Sequence, residues 1–146
     1  MVEVSEDSMG GRMVREFHEA FGLPDPKMSK EETLELWERL IQEELKELKE
    51  AVEHTLKEMA DVCYVLNGYA LVGGDLKYAM KLEETAAKYV MRLLDWAVQY
   101  EAFRRVHESN MSKLGPDGKP MYREDGKVLK GPNYRPPDLS DLIQWK

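Results

Sequence analysis

Apolar positions along this chain recur mainly at steps of three and four, the period of a helix that turns one side toward a core. The first series is Met13, Val14, Phe17, Ala20 and Phe21. Gly22 and the following Leu-Pro-Asp-Pro should stop it, because proline lacks a backbone donor and pushes the preceding residue out of helical geometry. Residues 1–11 are polar, carry Gly10 and Gly11, and are expected to fray. The most regular stripe is Leu34, Trp37, Ile41, Leu45, Leu48 and Val52, with Ser29 placed as N-cap and Glu31 and Glu32 in the first turn. Thr55-x-x-Glu58 has the form of a capping box and offers a new helix start. The pattern therefore predicts a tight turn around Glu53 and His54, then a third helix carrying Met59, Val62, Cys63, Leu66 and Ala70 inward as far as Gly73 and Gly74.

From Asp75 to about Lys113 the pattern stays helical without glycine or proline, with Leu82, Ala86, Tyr89, Leu93, Trp96 and Tyr100 as its apolar series. That length suits either two helices or one long arm in subunit contact, and both remain open. After Leu114 the character changes, since five of the seven prolines and four of the ten glycines lie between 115 and 137. Asp-Gly at Asp117 and Asp125 signals turns, so Lys119–Glu124 and Lys127–Gly131 are candidate short strands, and residues 131–139 read as an extended tail. The fold class expected is all-α, a helical bundle over 12–114 with an irregular Pro/Gly-rich C-terminal tail over 115–146.

Composition narrows the function classes. With 42% hydrophobic and 34% charged residues, the chain has apolar surface for a core and charge enough to solvate the outer faces of helices. A formal charge of −7 argues against a broad nucleic-acid footprint, which needs a basic face to neutralise phosphates. The lone Cys63 excludes an intramolecular disulfide and a cysteine zinc cluster, and suits a reducing compartment. The N-terminus lacks the basic and apolar blocks of a signal peptide, and no eighteen apolar residues run together, so a soluble cytoplasmic protein is expected.

The chemistry is concentrated in carboxylates. Glu43-Glu44-x-x-Glu47 is followed, after ten intervening residues, by Glu58-x-x-Asp61. The first motif alone is equally a solvated, ion-paired helix face, because Glu31-Glu32-x-x-Glu35 reproduces it. Position improves the case: Glu44 and Glu47 flank the apolar stripe beside the small Ala51, and Glu58 and Asp61 adjoin Met59 and Val62. In one straight helix, Glu47 and Glu58 would stand about 16 Å apart, too far for one ion, whereas the predicted hairpin would set the two pairs opposite each other. Four carboxylates gathered at a semi-buried interface need a counter-charge, and a hard divalent cation, Mg²⁺ or Mn²⁺, supplies one while keeping waters for substrate phosphates. Asn110 and Lys113, three residues apart, can face one site, with the amide reading a sugar or base edge and the ammonium meeting a phosphate. Arg123, Lys127, Lys130 and Arg135 make the tail basic. No glycine-rich phosphate loop is present, and His107-Glu108 lacks the second histidine of a zinc protease helix.

These two carboxylate motifs, with Ala102–Leu114 and the Asp-Gly-Lys repeats and Pro/Gly tail that follow, resemble the all-α nucleoside triphosphate pyrophosphohydrolases, in particular MazG-like and phosphoribosyl-ATP-pyrophosphohydrolase-like proteins, many of them from phages and bacteria. The resemblance covers about 13–74 and 102–139, and makes roughly 76–101 a helical insertion. It implies hydrolysis of a nucleoside triphosphate between the α and β phosphates, with Mg²⁺ or Mn²⁺. It makes Glu44, Glu47, Glu58 and Asp61 metal ligands, and Glu43 the residue that orients or deprotonates the attacking water or helps hold another metal. Asn110 and Lys113 would contact the nucleotide, joined by Lys127, Lys130 and Tyr134 from the tail, with Phe17, His18, Trp37 and Asn67 as further candidates for the base pocket. It also implies a homo-oligomer, dimer or tetramer. A purine nucleotide such as dGTP is placed ahead of dUTP. The rival reading is a non-catalytic helical assembly protein whose acids are solvated and whose 75–113 region is a dimerisation arm.

Overall fold

The computed structural model describes residues 8–144 and is all-helical, with four helices among them. Helix α1 runs Met9–Ala20, capped by the Ser8 side chain, which accepts from the Gly11 N–H at 3.0 Å. Gly10 and Gly11 therefore lie within a helix rather than in a frayed end, while residues 1–7 of the expected frayed segment lie outside those described. Its end is as the sequence predicts: Phe21 is the C-cap and Gly22 takes the left-handed conformation, φ 61°.

Helix α2 is the main departure. It runs Lys30–Leu71 without interruption, 42 residues, opened by a complete capping box between Ser29 and Glu32. The turn expected at Glu53 and His54 is absent, and the expected third helix is the second half of α2. The physical reason is visible at Thr55. Its hydroxyl does not cap a new helix but donates back to the Ala51 carbonyl at 2.9 Å, a bond that a helix-interior threonine can make. No glycine or proline lies between Ser29 and Asn67 to end the hydrogen-bond ladder, and Lys46–Glu50 and Lys49–Glu53 ion pairs reinforce its surface.

The helix ends where expected, with Gly73 at φ 88°. Helix α3, Leu76–Arg92, starts on an Asp75 cap, and α4, Trp96–Met111, starts on an Asp95 cap that receives the Ala97 and Val98 N–H groups. Of the two possibilities for 75–113, the chain thus forms two helices, since Asp95 provides a second N-cap in the middle of the apolar series.

Helix α3 packs on α2, and α1 packs on α4. Among the described residues the buried apolar side chains are few, Phe21, Leu36, Ala79 and Val98, and of these Phe21 is fully covered. Phe21 stacks on Phe17 at 4.2 Å, and such a burial contributes about 1.5–3 kcal/mol. The tail is tied down in several places. Ser109 Oγ donates to the Arg135 carbonyl at 2.7 Å, the Gly131 N–H donates to the Lys113 carbonyl at 2.9 Å, and Arg105 pairs with Asp141. At Gly131 only glycine fits, because a Cβ there would meet the Lys113 and Leu114 carbonyl oxygens at 2.7 Å. The two expected strands reduce to one antiparallel bridge, Tyr122 with Val128, around a turn at Gly126, φ 89°. With the tail docked this way, one cleft opens between α1, the N-terminal half of α2, the end of α4 and the tail hairpin.

Candidate functional site

The cleft has a volume of about 800 Å³, within the range of small-molecule sites. Its lining includes the apolar Phe17, Leu36 and Trp37 and the polar Glu44, Asn110, Lys113, Arg123 and Lys127. Three parts of the chain place these polar groups. Glu44 lies on α2, Asn110 is in the last turn of α4, Lys113 follows its Ser112 cap, and Arg123 and Lys127 flank the Gly126 turn.

Lys113 is half-buried, and burial first of all lowers its ammonium pKa from the usual value. The neighbouring Tyr134 and Glu44 oppose that shift, while Lys130 and Lys127 add to it. Lys130 sits 4.7 Å above the Tyr134 ring, an arrangement that holds the cation beside the tail. Three lysines thus gather around one end of the cleft, a place that favours an anion with several charges.

Glu43 lies beside the cleft and is ion-paired with Lys127, with Arg123 at 3.7 Å. The Lys127 hydrogen bond is the chief reason its carboxyl is held below the ordinary range. Arg123 in turn clamps Asp125, with Nε 2.9 Å from Oδ1, and keeps that carboxyl well below the usual aspartate range. Arg123 was visible in the sequence only as tail charge, and Asp125 only as a turn residue.

The structure brings Trp37, Glu44, Asn110, Lys113 and Lys127 to one cleft, with Glu43, Lys130 and Tyr134 adjacent. It does not bring Glu58 and Asp61 there. Both are on α2, eleven or more residues beyond Glu47, which at 1.5 Å per residue is about 16 Å or more along the axis. They are bound to Lys57, at 3.0 Å and 2.6 Å, on an exposed face. Among the described residues, no three histidine, cysteine or acidic side chains converge as a metal site within one copy. The carboxylate set read from the sequence therefore does not fit a single ion within one chain. Asn67 also stands apart, its amide donating to the Cys63 carbonyl of its own helix at 2.7 Å. His18 packs on Trp37 at 5.2 Å, with its Nε2 buried and without a hydrogen bond, and burial lowers its pKa.

Comparison with known proteins bears on this arrangement. Residues 14–84 match the model of the phosphoribosyl-ATP pyrophosphohydrolase family, a segment that contains both carboxylate motifs. A solved structure of a candidate NTP pyrophosphohydrolase from Exiguobacterium sp. 255-15 is 20% identical, over 93% of this chain and 94% of that one, with a TM-score of 0.43. Among curated proteins none matches. The resemblance carried by the two carboxylate motifs is borne out over the matched segment.

Proposed function

We propose that the chain is a nucleotide pyrophosphohydrolase acting on a (d)NTP, with dGTP the first purine candidate, and the match of residues 14–84 to the phosphoribosyl-ATP pyrophosphohydrolase family model supports this reading. The observation that carries this reading is the cleft, whose lining combines the apolar and aromatic Phe17, Leu36 and Trp37 with Asn110, Lys113 and Lys127. Water would attack the α phosphorus, the bond from that phosphorus to the bridging oxygen would break, and the products would be a nucleoside monophosphate and pyrophosphate. Lys113, Lys127 and Lys130 would neutralise the polyphosphate, and removal from water makes a half-buried ammonium more effective there than an exposed one. Asn110 would hydrogen-bond the sugar or base, while Trp37 and Phe17 would pack on the base. Glu43 would orient the water once Lys127 exchanges its carboxylate for a phosphate oxygen.

A divalent cation, Mg²⁺ or Mn²⁺, belongs to this proposal, and when bound it would supply the positive charge that polarises the phosphate. Glu44 and Glu47 are the ligand pair nearest the cleft, and Glu58 and Asp61 are the remaining pair, which one copy holds too far away to complete the set. A homo-oligomer is proposed for the same reason. The test is pyrophosphate release from a panel of dNTPs and NTPs with Mg²⁺, Mn²⁺ or EDTA. Cation-dependent release supports the reading and names the base, whereas no release from any nucleotide returns the acids to a solvated helix face.

A further inference from the structure

Lysines on the outer faces of α2 are exposed and held by carboxylates. Lys46 and Lys49, 78% and 76% exposed, pair with Glu50 and Glu53. Lys57 is bound first by Asp61 and then by Glu58, which raise its pKa and keep it charged. Lys113 has the opposite surroundings. Its N–H donates to the Asn110 carbonyl at 3.1 Å and its carbonyl receives the Gly131 N–H at 2.9 Å, so its backbone is fixed between the end of α4 and the tail. Its side chain lines the cleft beside Asn110 and Lys127, is half-buried, and makes no ion pair among the described residues. Burial is the chief influence on its ammonium and lowers the pKa, with Lys130 and Lys127 acting in the same direction against Tyr134 and Glu44. More of the side chain is therefore free amine than on the outer faces, and a desolvated amine beside fixed cations is a nucleophile.

The two neighbouring lysines supply something different. Lys130 sits 4.7 Å from the centre of the Tyr134 ring, and Lys127 is paired with Glu43, a partner that an incoming anion can displace. One end of the cleft thus combines an amine able to attack a carbonyl with two cations able to hold a phosphate. We propose that Lys113 is a carbonyl-capture site, whose ε-amine forms an imine with a small aldehyde that carries a phosphate group, the phosphate being held by Lys127 and Lys130. The nitrogen lone pair attacks the carbonyl carbon and a carbon–nitrogen bond forms. The carbonyl oxygen then takes up the two amine hydrogens and leaves as water, so no oxidant or reductant is needed. An aldehyde without phosphate lacks the anchor, and a phosphate without an aldehyde binds the same cations with no covalent bond. Imine formation uses the amine and the charges of the cleft and no step of hydrolysis, so the two chemistries can be tested apart.

The unaltered chain is incubated with an equimolar amount of pyridoxal 5′-phosphate, reduced with borohydride and mapped by peptide mass spectrometry. Pyridoxal is the phosphate-free probe, and inorganic tripolyphosphate the competitor. The result expected is a reduced adduct on Lys113 in roughly tenfold or greater excess over Lys46, Lys49 and Lys57, a similar fall with pyridoxal, and protection by tripolyphosphate. Lys113→Arg keeps the charge without the nucleophile and should lose the imine absorbance while circular dichroism stays helical. Lys127→Gln with Lys130→Gln keeps the amine and should bring labelling by the phosphate probe down to that by pyridoxal. An adduct that follows exposure, with Lys46 and Lys49 foremost, would overturn the proposal, as would one on Lys127 or Lys130 in place of Lys113. Equal labelling by the two probes would overturn the phosphate anchor and with it the ligand class. Should Lys113→Arg fail to fold, the map of the unaltered chain decides by itself. Pyrophosphate release with no adduct on Lys113 would leave the activity standing and remove the capture site, and the reverse combination would do the opposite.

Discussion

Lys113 illustrates how a residue useful to the site can cost the fold. Its ammonium is half-buried, and burial lowers its pKa, so the charged form is disfavoured in the folded chain. The penalty is fully present below the folded pKa and disappears as pH rises through it toward the unfolded value of 10.5. Lys113→Met should therefore raise the melting temperature at pH 7, with the gain shrinking at alkaline pH. The same change should lower kcat/KM for pyrophosphate release by roughly 10- to 100-fold, the effect of losing a charge-assisted contact of about 1.5–3 kcal/mol. A variant that melts lower and turns over normally would remove Lys113 from the site. Glu101 has the opposite sign. Arg104 first, then Arg105, bring its carboxyl down to about 2, so its stabilisation is present above the ordinary value of 4.5 and is lost as pH falls toward 2. Melts of Glu101→Gln and wild type from pH 7 downward should differ most near neutrality and converge in acid.

At the scale of the element, α2 decides how the acids are distributed. Because the helix is continuous through 54, His54→Pro should remove a backbone bond and clash with the preceding turn, costing about 3 kcal/mol, or a fall on the order of 6–12 °C in melting temperature. A turn at the same place would accept proline with little change, so thermal denaturation separates the two. The sequence made the ends of α2 legible: Ser29 with Glu32 is a reciprocal cap, and Gly73 supplies the left-handed residue that follows. It made the middle ambiguous. Thr55-x-x-Glu58 satisfies the pattern of a cap, but a threonine hydroxyl can equally donate to the carbonyl four residues back, and the choice depends on whether anything else breaks the ladder. Residues 43 to 61 are strong helix formers in the main, so nothing does. The tail contacts were illegible for another reason. The ion pair between Glu43 and Lys127 spans 84 positions, and no local spacing encodes it.

For the molecule as a whole, the small number of covered apolar side chains and the large exposed area set the expectation that stability depends on assembly. The melting temperature should rise with protein concentration at fixed pH and salt, and a midpoint that is constant over a hundredfold dilution would favour an independently stable monomer. The lining of the cleft by helices α1, α2 and α4 together with the tail also means that removing residues beyond Leu114 should abolish turnover even if the helices persist, which circular dichroism alongside the pyrophosphate assay would reveal.

The glycine that lets the tail lie against the end of α4 has a consequence for proteolysis as well. A Cβ at position 131 would push the tail away from the Lys113 and Leu114 carbonyls, so in Gly131→Ala the segment should be cut by trypsin after Lys127 and Lys130 faster than in the unaltered chain.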